Sequence, residues 1–213
     1  MPGRLVLTIG HSTRTLEELI ELLRHHEVEL LIDVRTVPAS RRMPHFMKAS
    51  LERSLPDHGI AYMHMPELGG LRKPKPDSIN SGWRNVGFRG YADYMQTDQF
   101  WDAIRRLEEL ATARRVAIMC AEALPWRCHR SLIADALTVR GDEVMHITGK
   151  AVPAVHTLTP FAHVHPPLRR LPSGAAPPPA APSPPHEWGG KGHLPSNGED
   201  RRITYPAPDT LPI

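Results

Sequence analysis

The chain has 213 residues, 26 Lys plus Arg against 23 Asp plus Glu, a formal net charge of +3 and two cysteines. No apolar run approaches the ~20 residues of a membrane span, and the apolar stretch in the opening M-P-G-R-L-V-L-T-I-G is too short for a signal peptide. The reading is therefore a cytoplasmic protein without a membrane partner, its thiols reduced, which argues against a structural disulfide between Cys120 and Cys128 and leaves a redox-active one open.

Fifteen of the 23 prolines follow Lys150, so composition divides the chain into an α/β domain over 1–149 and a Pro-rich tail over 150–213. Leu5 to Ile9 reads as a first strand. Thr15 and Glu18 then form a capping box in front of the apolar stripe Leu16, Leu19, Ile20 and Leu23. Leu30 to Val34 is a second strand, continuous enough in hydrophobicity to be buried on both faces. A short helix over Lys48 to Leu55 ends near Gly59, and a third strand follows at Ile60 to Met65. Leu68 to Gly90, with five glycines and two prolines, reads as one long loop, a length that in a compact domain marks function or disorder. A long helix is predicted from Tyr91 to Ala113, a fourth strand at Val116 to Met119, a fourth helix at Ser131 to Val139 and a fifth strand at Glu143 to Ile147. Beyond Gly149 the periodicity stops. Runs such as A-A-P-P-P-A-A-P-S-P-P cannot supply backbone donors or bury a core, which predicts an extended tail. Its histidines, spread from His156 to His186, lack metal-ligand spacing.

The fold class that results is α/β: a single open, mostly parallel five-stranded sheet with helices on both faces, plus a disordered Pro-rich C-terminal tail. Parallel strands put their carboxyl ends on one edge, where such sheets hold ligands. Here that edge is polar. The first strand delivers His11 and Ser12, the second Asp33 and Arg35, the third His64, and the fourth Cys120 and Glu122. The eleven residues C-A-E-A-L-P-W-R-C-H-R, Cys120 to Arg130, hold both cysteines and lead into a helix start. Unpaired N–H groups and the helix dipole make that start an anion pocket, with Arg127, Cys128, His129 and Arg130 around it. The same field favours Cys128 as the thiolate and Cys120 as the more buried sulfur.

Three chemical templates apply to these letters. A phosphatase loop would need an arginine six positions after its cysteine, where Trp126 stands. A rhodanese-like sulfurtransferase also uses a strand-end cysteine in an anion cradle, and L-I-D-V-R at Leu31 to Arg35 resembles a strand of that fold. A zinc site from Cys120, Cys128, His129 and His11 has enough ligands, but seven residues separate the cysteines instead of the usual close pair, so the reading assigns no metal and no cofactor.

I-G-H-S at Ile9 to Ser12, D-V-R followed by P-x-S-R at Asp33 to Arg41, G-I-x-Y-x-H at Gly59 to His64, E-L-G-G at Glu67 to Gly70, and C-A-E with C-H-R at Cys120 to Arg130 together resemble the domain-of-unknown-function family 488. The resemblance implies a compact α/β domain with a shared polar site. It brings no established reaction. His11, Ser12, Asp33, Arg35, Arg41, His64, Glu67, Cys120, Glu122, Cys128, His129 and Arg130 match the family's pattern positions.

The leading functional expectation is a phosphate-bearing ligand, a nucleotide or a nucleic-acid end, held by Arg35, Arg127 and Arg130, with His11, His64 or Glu122 as acid or base. Between Arg35 and Arg89 ten basic residues stand against four acidic ones, which suits such a partner. The alternative is a thiol-dependent enzyme, of rhodanese-like sulfurtransferase or redox type, using Cys120 or Cys128.

Overall fold

The structure, a computed structural model, describes residues 3–39, 42–165 and 202–207. Six strands form the main sheet in the order β3-β2-β4-β1-β5-β6. These are β1 (Leu5–Gly10), β2 (Leu30–Asp33), β3 (Ala61–His64), β4 (Val116–Cys120), β5 (Glu143–Ile147) and β6 (Ala154–Val155). The first five run parallel, and β6 pairs antiparallel with β5. The sheet thus has one strand more than the five expected. β6 is only two residues long and exposed, so it leaves no periodic signal in the sequence.

Alternate residues of each strand serve two separate cores. Leu7, Ile9, Leu31, Ala117 and Met119 face α1 (Leu16–His25) and α2 (Lys48–Ser54), meeting Leu19, Leu23 and Leu51. Val6, Leu30, Ile32, Val116 and Ile118 face α3 (Val86–Tyr94), α4 (Asp98–Ala113) and α5 (Arg130–Val139), meeting Tyr91, Phe100, Ile104 and Leu132. The Thr15–Glu18 capping box is present. The single long helix expected from Tyr91 to Ala113 is two helices. Thr97 breaks it: its side chain accepts from the Phe100 N–H and starts α4 afresh, while α3 begins five residues earlier than expected, where Asn85 caps Gly87 and Phe88.

Helices before β3 lie on one face and those after it on the other, so neighbouring β2 and β4 send their outgoing chains to opposite sides. A crevice opens between them at the carboxyl edge, the place where such sheets bind ligands. The irregular segment before α3 is tied down by the nearly buried Asp93, which accepts from Lys75 N (2.8 Å), Ser78 Oγ (2.6 Å) and Asn80 Nδ2 (2.8 Å). Trp83 stacks on Phe88 at 4.6 Å and meets Phe161 edge-on, so these aromatics pack the loop onto the domain.

Part of the segment assigned by sequence to the tail packs on the domain. Besides β6, β7 (His163–His165) pairs with β8 (Arg202–Thr204), and Tyr205 is fully buried. The Pro-rich runs fall outside the described residues. Among the described residues no helix is long and apolar enough to cross a membrane.

Candidate thiol site at the sheet edge

A cleft of about 450 Å³ opens at the ends of β2 and β4, lined among others by Arg35, Gly70, Cys120, Glu122, Arg127, Cys128 and His129. Cys120 ends β4, and Cys128 follows a short 3₁₀ turn, Pro125–Arg127, that brings the chain back over it. Gly10 makes the return possible. A methyl group there would overlap the Glu122 carbonyl, so only glycine lets the loop close on the end of β1.

Both sulfurs and the His129 ring meet at the floor. His129 Nδ1 lies 3.6 Å from Cys128 Sγ and 3.9 Å from Cys120 Sγ. The other ring nitrogen, Nε2, is 3.1 Å from the Val34 carbonyl. A carbonyl only accepts, so Nε2 carries a proton and Nδ1 is the atom turned toward the thiols. The Cys120 S–H, donating toward the Cys128 sulfur, is the largest influence holding Cys128 far below the ordinary thiol range; burial opposes it, and His129 and Arg130 reinforce it. The same shared proton, followed by burial, pushes Cys120 well up. Both sulfurs are free and buried.

Arg130 is 1% exposed and faces inward. Its Nε donates to Cys128 Sγ at 3.4 Å, one Nη to Thr8 Oγ1 at 3.3 Å, and the other to the Glu122 carbonyl. From Thr8 a buried polar chain runs on. Thr8 Oγ1 meets His146 Nδ1 at 2.8 Å, His146 Nε2 meets His156 Nδ1 at 3.0 Å, and His156 Nε2 meets Asp135 Oδ1 at 2.9 Å. Thr159 and the Tyr205 hydroxyl complete the shell of Asp135. Burial, followed by His156 and Arg130, lowers His146 to about 4, consistent with a neutral ring in the chain.

A second cluster lies on the opposite side of the same edge. Asp33, fully buried, takes Arg35 Nε at 2.9 Å, Arg35 Nη2 at 2.6 Å and the Tyr62 hydroxyl at 2.8 Å. Arg35 also donates to the Phe46 carbonyl, and its remaining Nη1 meets His11 Nε2 at 3.2 Å. An arginine must donate there, so Nε2 accepts and the His11 proton sits on Nδ1, 3.0 Å from the Ser12 carbonyl. Burial first, then Arg35, lowers His11 to about 4. Its ring stacks on Phe46 at 4.2 Å.

The expected residues therefore divide. Arg35, Cys120, Glu122, Arg127, Cys128 and His129 line one cleft. Asp33, His11 and Arg130 stand behind it as buried partners. Ser12, at φ 50, pairs its N–H with the Ala121 carbonyl and holds β1 beside the loop after β4. His64 Nε2 meets the Arg35 carbonyl at 2.8 Å, and the Glu67 carbonyl accepts from Tyr94 and Arg72; both steady the loops after β2 and β3. Arg41 falls outside the described residues. Sequence reasoning missed Thr8, His146 and Asp135, which carry no motif of their own, and had Gly70 only within E-L-G-G and His156 only among the tail histidines.

A family model described as Domain of unknown function DUF488 matches residues 15–137, more than half of the chain. The chain belongs to the DUF488 family. No curated protein and no solved structure matches it. The DUF488 match runs from the N-cap of α1 into α5. It includes Arg35, Glu122, both cysteines, His129 and Arg130, whereas His11, His146 and His156 lie outside it.

Proposed function

We propose that this protein is a thiol-dependent enzyme of the reducing cytoplasm that acts on an anionic ligand, with Cys128 as nucleophile or sulfur carrier and Cys120 as its second thiol. The observation that carries the reading is the meeting of both sulfurs and His129 Nδ1 at the floor of an open cleft, with the Arg130 Nε–H on the Cys128 sulfur. A thiolate is the reactive form of cysteine, and a neighbouring cation and thiol donor stabilise it.

The reading built on phosphate held by three arginines is less well supported. Arg35 is paired with Asp33, and Arg130 spends its donors on Thr8, Glu122 and Cys128. That leaves Arg127, exposed at the cleft, as the cation free to meet a ligand anion.

In the sulfurtransferase form, the Cys128 thiolate attacks the outer sulfur of an anionic donor such as thiosulfate. The donor S–S bond breaks, sulfite leaves with its electron pair, and Cys128 carries a persulfide that an acceptor thiolate then takes up. L-I-D-V-R in β2 and its exit supports the rhodanese-like resemblance, whereas the strand-end cysteine of that template corresponds to Cys120 and the carrier proposed here is Cys128. The test is intact-mass analysis of reduced protein after exposure to thiosulfate, with iodoacetamide alkylation in parallel. The expected result is one added sulfur on Cys128, absent from Cys128→Ser, and rapid alkylation of Cys128 below neutral pH. No sulfur uptake together with slow alkylation of both thiols rejects the proposal.

A further inference from the structure

We infer that the thiol site is also a binding site for a single thiophilic divalent cation of the zinc type, held by Cys120 Sγ, Cys128 Sγ and His129 Nδ1. Its occupancy converts Cys128 from nucleophile to ligand. The regulatory half of this inference rests on the thiol reading above; the cation site itself rests on geometry alone.

The three ligand atoms all lie within 4.8 Å of one another. Tetrahedral zinc, with bonds of about 2.3 Å to sulfur and about 2.0–2.1 Å to nitrogen, sets sulfur and nitrogen about 3.6 Å apart along each edge. The two sulfur–nitrogen separations here are 3.6 and 3.9 Å, within a few tenths of an ångström of that edge, and the sulfurs, within 4.8 Å of each other, close by at most about 1 Å to reach the roughly 3.8 Å of a tetrahedral pair. Seven intervening residues made the cysteines look too distant in sequence, yet the 3₁₀ turn at Pro125–Arg127 folds that gap away.

The surroundings are those of a metal site as well. A ligating imidazole usually donates its other N–H to a carbonyl or carboxylate, which fixes tautomer and ring orientation, and His129 does so to Val34. The Arg130 Nε–H supports the Cys128 sulfur from behind. Three ligands leave one tetrahedral position for water or an anion, and all three residues line the cleft that Glu122 and Arg127 also line. Space there depends on Gly70, whose added Cβ would sit 2.5 Å from His129 Nδ1. Protons remaining on the thiols pass to solvent as the cation binds, and no oxidant or reductant is needed.

The test uses reduced, chelator-treated full-length protein titrated with Zn²⁺ alone against a chromogenic zinc indicator, with alkylation of Cys128 followed by mass spectrometry. The expected result is one zinc per chain and at least about tenfold slower alkylation at saturation, reversed by a chelator. Affinity should fall by more than about a hundredfold in Cys120→Ser, Cys128→Ser and His129→Ala, since even outer partners of a ligand are worth 10- to 100-fold. Co²⁺ added to the wild-type protein should give thiolate-to-cobalt charge-transfer absorption, a readout that needs no variant to fold.

Zinc that stays bound in the Cys120→Ser/Cys128→Ser double variant, or no charge-transfer band, overturns the site. Zinc uptake with an unchanged alkylation rate overturns the switch. Fast alkylation without zinc uptake removes this inference and leaves the thiol enzyme standing, whereas slow alkylation of the metal-free protein together with no sulfur uptake from thiosulfate removes the thiol enzyme itself.

Discussion

Arg130 Nε lies 3.4 Å from the Cys128 sulfur, two residues before it, and this guanidinium is buried instead of facing the ligand cleft. The reason lies behind it: Thr8 and the Glu122 carbonyl each take one of its other donors, and the Thr8 hydroxyl is itself backed by His146. The residue expected as a ligand anchor donates to the Cys128 sulfur from within the core.

Arg130→Lys keeps the charge but cannot reach the sulfur, Thr8 and Glu122 together. Loss of charge-assisted bonds in the core should cost about 2–3 kcal/mol in urea unfolding, and Cys128 should alkylate about tenfold more slowly at pH 6. An unchanged rate in the folded variant would separate Arg130 from the thiol.

The two cysteines should behave oppositely toward iodoacetamide. Cys128 reacts in weakly acid solution, while Cys120 stays unmodified until the pH is well above neutral, because the proton they share rests on Cys120. Cys120→Ala removes that S–H donor, so the onset of Cys128 alkylation should move to higher pH. Peptide mapping across a pH series reads both effects.

Gly70→Ala places a methyl against the His129 ring, 2.5 Å from Nδ1 and 2.7 Å from Cγ. The ring has little room to yield, since Nε2 is held by Val34 and the Tyr91 ring lies tilted against it with centroids 5.1 Å apart. Stability should drop by about 1–3 kcal/mol, with Cys128 alkylation disturbed as well. Gly149→Ala, where a methyl meets nothing within 4 Å, is the matched control and should be silent.

Acid stability should carry the mark of two histidines. His11 and His146 are lowered from 6.5 to about 4 in the fold, in both cases first by burial. Between those values the unfolded chain binds protons that the folded one does not, so stability rises with pH there and is lost as pH falls from about 6.5 to about 4. Thermal melting between pH 7 and pH 4 should follow that slope, and His146→Asn should flatten it. A melting temperature independent of pH over this window would contradict the neutral assignment of both rings.

Tyr205→Phe tests whether the segment after 201 is part of the fold. It removes one of the donors to buried Asp135 while keeping the ring, so a loss of about 1–2 kcal/mol is expected. A neutral result would place that strand outside the cooperative unit.

Much of the molecule was legible in the letters because strand and helix periods are local. Continuous apolar runs fixed the five parallel strands, the Thr15–Glu18 pair marked the start of α1, and polar residues after each strand pointed to the edge where the cleft lies. Local pattern also misled: apolar spacing runs through Thr97 without a break, so two helices read as one. What only the tertiary structure decided is which groups touch. His146 sits on a strand and His156 in a Pro-containing segment, and nothing in either stretch says that β6 folds back to join them to Asp135, Thr8 and Arg130. The direction of Arg130 and the closeness of Cys120 to Cys128 are likewise products of the turn at Pro125–Arg127 and the tight packing of Gly10 against Glu122. Periodicity records which face of an element is buried; the partner that a polar side chain meets there depends on segments more than a hundred residues apart in the chain, and only packing brings those together.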